Sequence, residues 1–291
     1  MDWQVLNMLI KFLRDDMKQF TLGGSYTDSA SWGMTKVNGL GSITMDISKT
    51  KNAVGDGETI TSIQVPARPI DIVANVKNVR NNQIERAKAI SFFNPKHSFI
   101  MYVTRGNDTR WIQTRIDKFK CQEQPPYKAV EIEMALICED PYFYSKDNYG
   151  KDIAAVTGTF GFPFISSVEK GFKVGVYNFA KQVEVENTGD VETYMTIRIE
   201  AFGTVINPKV VKDHAYIRLI DTLSSGDIVE IDMVENTIRK NGVNCIGKTD
   251  RTSSFTGMAM DVGDNTISFT ADSGDTNMKV VLYYNLKYLG A

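Results

Sequence analysis

Apolar and polar residues alternate with a period of two along most of this chain. That pattern demands strands rather than helices, because successive side chains of a strand point to opposite faces. It is plain at Ile43-Thr44-Met45-Asp46-Ile47 and at Val130-Glu131-Ile132-Glu133-Met134-Ala135-Leu136. It returns at Thr196-Ile197-Arg198-Ile199-Glu200, Val229-Glu230-Ile231-Asp232-Met233 and Ile267-Ser268-Phe269. Turn signals separate the runs: Asp56-Gly57, Gly106-Asn107-Asp108, Gly189-Asp190, Ser225-Gly226-Asp227, Asn241-Gly242, Gly263-Asp264-Asn265 and Ser273-Gly274-Asp275. Short strands at this spacing predict antiparallel sandwiches or barrels.

One helix is expected. Asn82 stands where a cap belongs, Glu85 follows three residues later as in a capping box, Ile84, Ala87 and Ile90 form one stripe, and Asn94-Pro95 ends it. The N-terminus reads two ways: Trp3, Leu6, Ile10 and Leu13 fit a helical face, whereas Ile10 to Leu22 fits a hairpin turning at Asp15-Asp16, the better match from Ile10 onward. A second hairpin is expected from Trp111–Lys120 and Lys128–Cys138 around Gln124-Pro125-Pro126-Tyr127, with Cys121 opposite Val130 and Cys138 opposite Gln113. After Glu139-Asp140-Pro141 regular alternation lapses over 142–182. The 291 residues therefore divide into domains at 1–145 and 146–291.

Composition removes several classes of function. Thirty-three Lys and Arg against 35 Asp and Glu, a net charge of −2, is no balance for gripping a phosphate backbone. The most apolar stretch at the start, Met1 to Leu13, carries Asp2, Asn7 and Lys11 and falls short of the roughly 20 residues a membrane span needs. It also lacks the pattern of a signal peptide, and a protein made in the cytoplasm is expected. Three cysteines, Cys121, Cys138 and Cys245, with no Cys-x-x-Cys, read as reduced thiols, and two histidines, His97 and His214, leave little for a metal site.

Gly242-Val243-Asn244-Cys245-Ile246-Gly247-Lys248-Thr249 satisfies the phosphate-loop pattern. That chemistry needs a strand before the loop and a helix after it, whereas Asn241-Gly242 is a hairpin signal and Asp250 to Gly257 is poor helix. Asp261-Val262-Gly263-Asp264-Asn265 lacks calcium-loop spacing and reads as a turn. Asn107-Asp108-Thr109 fits a glycosylation acceptor and reads as a hairpin tip. Glu131 and Glu133 read as a solvated strand face. Tyr142-Phe143-Tyr144, Phe160-Gly161-Phe162-Pro163-Phe164 and Tyr283-Tyr284 either stack on sugar rings or pack a domain junction. No spacing requires a catalytic acid, base, metal or cofactor.

Several segments resemble a known family in their order along the chain. They are Trp32-Gly33-Met34-Thr35-Lys36-Val37-Asn38-Gly39-Leu40-Gly41, Asp56-Gly57-Glu58, Ala67-Arg68-Pro69-Ile70-Asp71-Ile72 and Ile137-Cys138-Glu139-Asp140-Pro141-Tyr142-Phe143-Tyr144. Phe162-Pro163-Phe164, Val185 to Glu192, Gly203-Thr204-Val205-Ile206-Asn207-Pro208, Ile231-Asp232, Asn241-Gly242 and Gly263 to Ile267 follow. The set resembles the phage distal tail protein (Dit) family. The resemblance implies a mainly β chain of two domains: an N-terminal, ring-forming split β-barrel or sandwich with one α-helix, and a C-terminal galectin-like, carbohydrate-binding-module-like β-sandwich. It implies a hexameric ring, single or stacked in pairs, at the distal end of the tail tube. That ring would join the tube protein to the tail-tip or baseplate hub protein and anchor receptor-binding components, in a non-contractile or contractile tail or a phage-derived bacteriocin. The place implied is the virion tail tip, after assembly in the host cytoplasm, with no enzyme activity, cofactor, metal, sequence-specific nucleic acid or membrane insertion. The alternative is a host-wall carbohydrate-binding module acting through the C-terminal domain. The positions carried over are structural: Arg68, as an anchor pairing with a carboxylate or carbonyl; Asp140 and Pro141, fixing the exit from the first domain; and Asn207 and Pro208, a turn in the second.

Overall fold

The computed structural model describes residues 8–24, 30–41, 43–125, 127–146, 149–152, 154–158, 175–179 and 182–291. Trp3, Leu6, Pro126 and the Phe160–Phe164 run lie outside them. The chain is mainly β and forms two compact units, Met1–Lys146 with Lys287–Ala291, and Asp147–Leu286.

The first unit holds β1 (Met8–Arg14), β2 (Gln19–Gly23), β3 (Trp32–Asn38), β4 (Asp46–Lys51), β5 (Glu58–Gln64), β6 (Arg68–Val76), α1 (Asn82–Phe92), β7 (Phe99–Arg105), β8 (Asp108–Cys121), β9 (Glu131–Cys138) and β10 (Phe143–Ser145). Seven strands close a barrel in the order β8-β7-β1-β2-β3-β6-β9 and back to β8. Closure depends on the length of β8. Its first half pairs with β7, an irregularity at Asp117 bends it, and its second half pairs with β9. The expected hairpin of β8 and β9 is present, but Cys121 faces Ile132 rather than Val130, because the loop is longer than a tight turn and the bulge adds a residue. All three cysteines are free thiols.

The hairpin reading of the N-terminus is the observed one: Ile10 faces Leu22, and Met17, at φ 66°, makes the turn. Met8, Ile10 and Phe12 point inward, as do Ile70, Ile72, Ala74 and Val76 of β6, and they build one core. The Ile43–Ile47 run departs from expectation. Strand begins only at Asp46, and Met45 and Ile47 are exposed.

The helix also corrects the sequence reading. Its buried positions are Asn82, Glu85, Ala89 and Phe92, while Ile84 and Ile90 are 60% and 43% exposed and Ala87 is exposed too. Asn82 is no cap but the first helical residue. Its amide donates to the carbonyls of Pro125 and Lys128 at 3.2 and 2.9 Å, two acceptors of the β8–β9 connection. What sets the rotation of the helix is its C-terminal end. Phe92 and Phe93 enter an aromatic cluster with Phe12, Phe20 and Phe99, and Phe93 stacks on Phe119 at 5.3 Å.

The second unit holds β11 (Tyr149–Asp152), β12 (Ala154–Gly158), β13 (Gly175–Phe179), β14 (Gln182–Asn187), β15 (Met195–Ala201), β16 (Val205–Ile206), β17 (Lys209–Lys212), β18 (Ala215–Arg218) and β19 (Thr222–Leu223). It continues with β20 (Ile228–Asp232), β21 (Thr237–Lys240), β22 (Val243–Asn244), β23 (Gly263–Thr270) and β24 (Met278–Tyr284). One sheet runs β11-β24-β15-β20-β21-β22 and another β14-β23-β17-β18. Each buries alternate residues: Ile197, Ile199, Val229, Ile231, Val280 and Leu282 in the first, Val185, Val210, Ile217, Ile267 and Phe269 in the second. The last strand, β25 (Lys287–Tyr288), pairs with β10 and so belongs to the first unit, a return that a single boundary at 145/146 does not anticipate.

Candidate functional site

Arg68 opens β6 at the same inward parity as Ile70 and Ile72, and it is 3% exposed. A buried guanidinium must satisfy its donors with fixed acceptors. Here the acceptors are all main-chain carbonyls: Nε donates to Pro141 at 2.6 Å, Nη1 to Gly39 and Leu40 at 2.9 and 3.2 Å, and Nη2 to Leu289 at 2.5 Å. Its charge lies 5.1 Å over the Phe143 ring. Arg68 thereby ties together three places where the chain enters or leaves the barrel: the end of β3, the segment after β9, and the C-terminal return.

Asp140 and Pro141 sit at the second of these. Asp140 accepts the Tyr142 amide at 3.1 Å through one oxygen and the Tyr144 hydroxyl through the other. Burial, and then this carboxylate, push the Tyr144 hydroxyl well above the usual phenol range. Phe143 is fully buried, and Tyr144 stacks on Trp111 at 4.7 Å. The Lys287 ammonium lies over both Tyr142 and Tyr144, and Arg110 lies over Tyr288 and donates to the Gly290 carbonyl at 2.6 Å. Tyr142, Phe143 and Tyr144 are therefore spent on packing and cation contacts within the first unit. The neighbouring Cys138 thiol is raised by burial to about 11, far from a reactive thiolate.

Gly39 completes the clamp. It adopts φ +91°, and a Cβ there would overlap the Pro69 carbonyl oxygen. Both the left-handed backbone and the close approach require glycine. Gly39→Ala is expected to destabilise the first unit by at least about 2 kcal/mol. A lowered urea midpoint of tryptophan fluorescence would report it, since Trp3, Trp32 and Trp111 all precede residue 147.

Arg14, which the sequence reading missed, ends β1 at an inward position. It donates to the Ser91 and Phe92 carbonyls at 2.9 Å each, capping the end of α1, and binds Asp16 at 2.6 Å. A charge at core parity is the signal that could have found it, as it found Arg68.

In the second unit, Asn207 takes φ +50° between β16 and β17, donates to Asp272 at 2.7 Å, and hands the chain to Pro208, whose carbonyl accepts from Leu219 at 3.0 Å. The phosphate-loop pattern falls on the β21–β22 hairpin, turned by Asn241 and Gly242 at φ 51° and 81°. A single 3-10 turn, Ile246–Lys248, follows, and Lys248 pairs with Asp221 at 3.0 Å, so neither the helix nor the free lysine of a phosphate site is there. Around Asp261, Asn265 bonds the Asp261 main chain through both ends of its amide, a self-contained turn. Among the described residues no group of three His, Cys, Asp or Glu is placed to hold a metal ion, and no helix is long and apolar enough to cross a membrane.

Residues 188–288 match the sequence model of the siphovirus-type tail component, C-terminal domain. The fold of the chain matches the crystal structure of the Dit protein of phage SPP1, described as a paradigm of the hub adsorption apparatus in phages infecting Gram-positive hosts. The TM-score is 0.67 at 13% identity, over 96% of this chain and 99% of that one. Residues 188–288 are thus similar in sequence to a siphovirus-type tail component, and the chain shares the fold of a Dit protein. The sequence likeness is confined to 188–288, and the likeness over the rest of the chain is one of fold. Chains of the phage p2 baseplate in its activated conformation also align, with calcium at TM-score 0.49 and 9% identity over 98% and 99% of the two chains, and with strontium at 0.47 and 9% over 95% and 97%. No curated protein matches by sequence.

Proposed function

We propose that this chain is a Dit-type tail protein that forms a hexameric ring at the distal end of the tail tube, joins the tube protein to the tail-tip or baseplate hub, and anchors adsorption components without catalysing a reaction. In this reading residues 1–145 form the ring and residues 146–291 carry the attached parts. Arg68, Asp140 and Pro141 fix the exit from the ring domain, and Asn207 and Pro208 fix a turn in the second. The observation that carries it is a closed barrel, which leaves no barrel edge to pair, bearing exposed apolar residues on two separate excursions, Ile47, Ile60 and Ile63 on one and Ile84 and Ile90 on the other. Two unlike patches on one subunit are what a head-to-tail ring requires. Negative-stain images of the purified protein are expected to show six-fold rings, and antibody labelling of intact particles is expected to mark the tail tip. Label confined to the capsid or tube wall would overturn the reading.

A further inference from the structure

The β4–β5 hairpin leaves the barrel between β3 and β6, and every residue of its two strands but Ser62 is exposed. Its register has one irregularity. Ile47 faces Ile63, Ser48 faces Ser62, and then Lys49 faces Ile60, leaving Thr61 as the extra residue. The bulge moves Ile60 onto the face of Ile47 and Ile63, joined by Lys49, Lys51 and Glu58. The other face carries Asp46, Ser48, Thr50, Thr59, Ser62 and Gln64. An isolated two-stranded ribbon is marginal in water, and this one exposes all three isoleucines together with Val54 at its tip, 93% exposed. No ion pair forms at Asp56 among the described residues.

A second surface on the same unit is its counterpart. The outward stripe of α1, with Ile84 and Ile90, runs beside a cavity of about 750 Å3 whose apolar lining is Phe20, Trp32 and Phe92. Among the described residues the cavity is lined by three cations, Arg14, Lys18 and Lys88, against Glu85, and Asp16 pairs with both Arg14 and Lys18, which leaves a balance of +1. The hairpin tip, residues 52–58, holds Asp56 and Glu58, and with Glu58 paired to Lys49 at 3.7 Å its balance is −1. From Asp46 to Val54 the hairpin extends about 30 Å at the strand rise, while the 11 residues of α1 span about 16 Å. One ribbon is long enough to cross the helix and still reach the cavity.

We infer that the hairpin of one copy of this chain lays its isoleucine face on the α1 stripe of the next copy and seats Val54 and its acidic tip at the Phe20, Trp32 and Phe92 cavity. The inference rests on the ring reading and names the surfaces that close it. Donor and acceptor patches differ, so the contact is heterologous and repeats around an axis.

Two full-length variants test it: a hairpin variant, Ile47→Ser with Ile60→Ser and Ile63→Ser, and a helix variant, Ile84→Glu with Ile90→Glu. All five side chains are exposed within one copy, so each variant is expected to keep a cooperative tryptophan unfolding transition, lowered from the assembled wild type only by the stabilisation that association contributes. The wild type is expected to sediment as a closed ring and each variant as a monomer, its association weakened about a hundredfold or more. An equimolar mixture of the two is expected to give one-to-one dimers and nothing larger, because only one intact joint can form per pair. If both variants keep the wild-type ring, the ring stands and the surfaces assigned to it are wrong. Dimers of the helix variant by itself would mean hairpin-to-hairpin contact and would overturn the inference. A wild type that stays monomeric at every concentration removes the ring reading and this inference together.

Discussion

Arg68→Met is expected to lower the unfolding midpoint seen by tryptophan fluorescence by on the order of 10 °C. The guanidinium donates to four carbonyls and is almost fully buried, so removing it strands acceptors that water reaches poorly. A buried acceptor left unmet costs about 1–3 kcal/mol. The four are not additive, and the loss is expected at roughly 3–5 kcal/mol, above the cost of one unmet acceptor and below the sum of four. Arg68→Lys separates charge from geometry. A lysine keeps the positive charge but is a point donor without the fork, so its midpoint is expected between wild type and methionine. A methionine variant that melts with the wild type would show that the carbonyls find other donors and that Arg68 is not the clamp.

Parity explains how much of the chain was readable. Where a strand has one face in the core, as at Val130 to Leu136 or Thr196 to Glu200, alternation names both the strand and its buried residues. Where a charged residue stands at an inward position, as Arg68 and Arg14 do, the same parity marks a polar anchor, although only the structure supplies its acceptors, which are backbone carbonyls distant in sequence. The hairpin of β4 and β5 was not readable this way. Ile60 and Ile63 are three apart, a spacing that strict alternation splits between two faces and only a bulge reunites. Both are exposed in the structure, so no core face marks their parity. The C-terminal return of β25 was invisible for a related reason: a two-residue strand has no period, and its partner lies more than 140 residues away.

The helix gives the second large effect, because its face was misjudged from composition. Ile84, Ala87 and Ile90 look like the core stripe, yet the side chain expected to matter most is Phe93, just past the helix end. Its ring lies 4.9–6.1 Å from those of Phe12, Phe20, Phe92, Phe99 and Phe119, so it joins β1, β2, β7 and β8 to α1. Truncating a buried phenylalanine removes both its transfer energy and the packing around the void, about 3–5 kcal/mol in comparable cores. Phe93→Ala is therefore expected to destabilise the first unit by that amount, measured as a lower urea midpoint with an unchanged slope. Ile84→Ala, on the exposed face, is expected to stay within about 0.5 kcal/mol of wild type. Phe93→Leu, which keeps most of the volume, is expected to fall between the two. The opposite order, with Ile84→Ala costly and Phe93→Ala silent, would mean the helix is rotated to bury its isoleucines, and the apolar stripe available to a neighbouring copy would vanish with it.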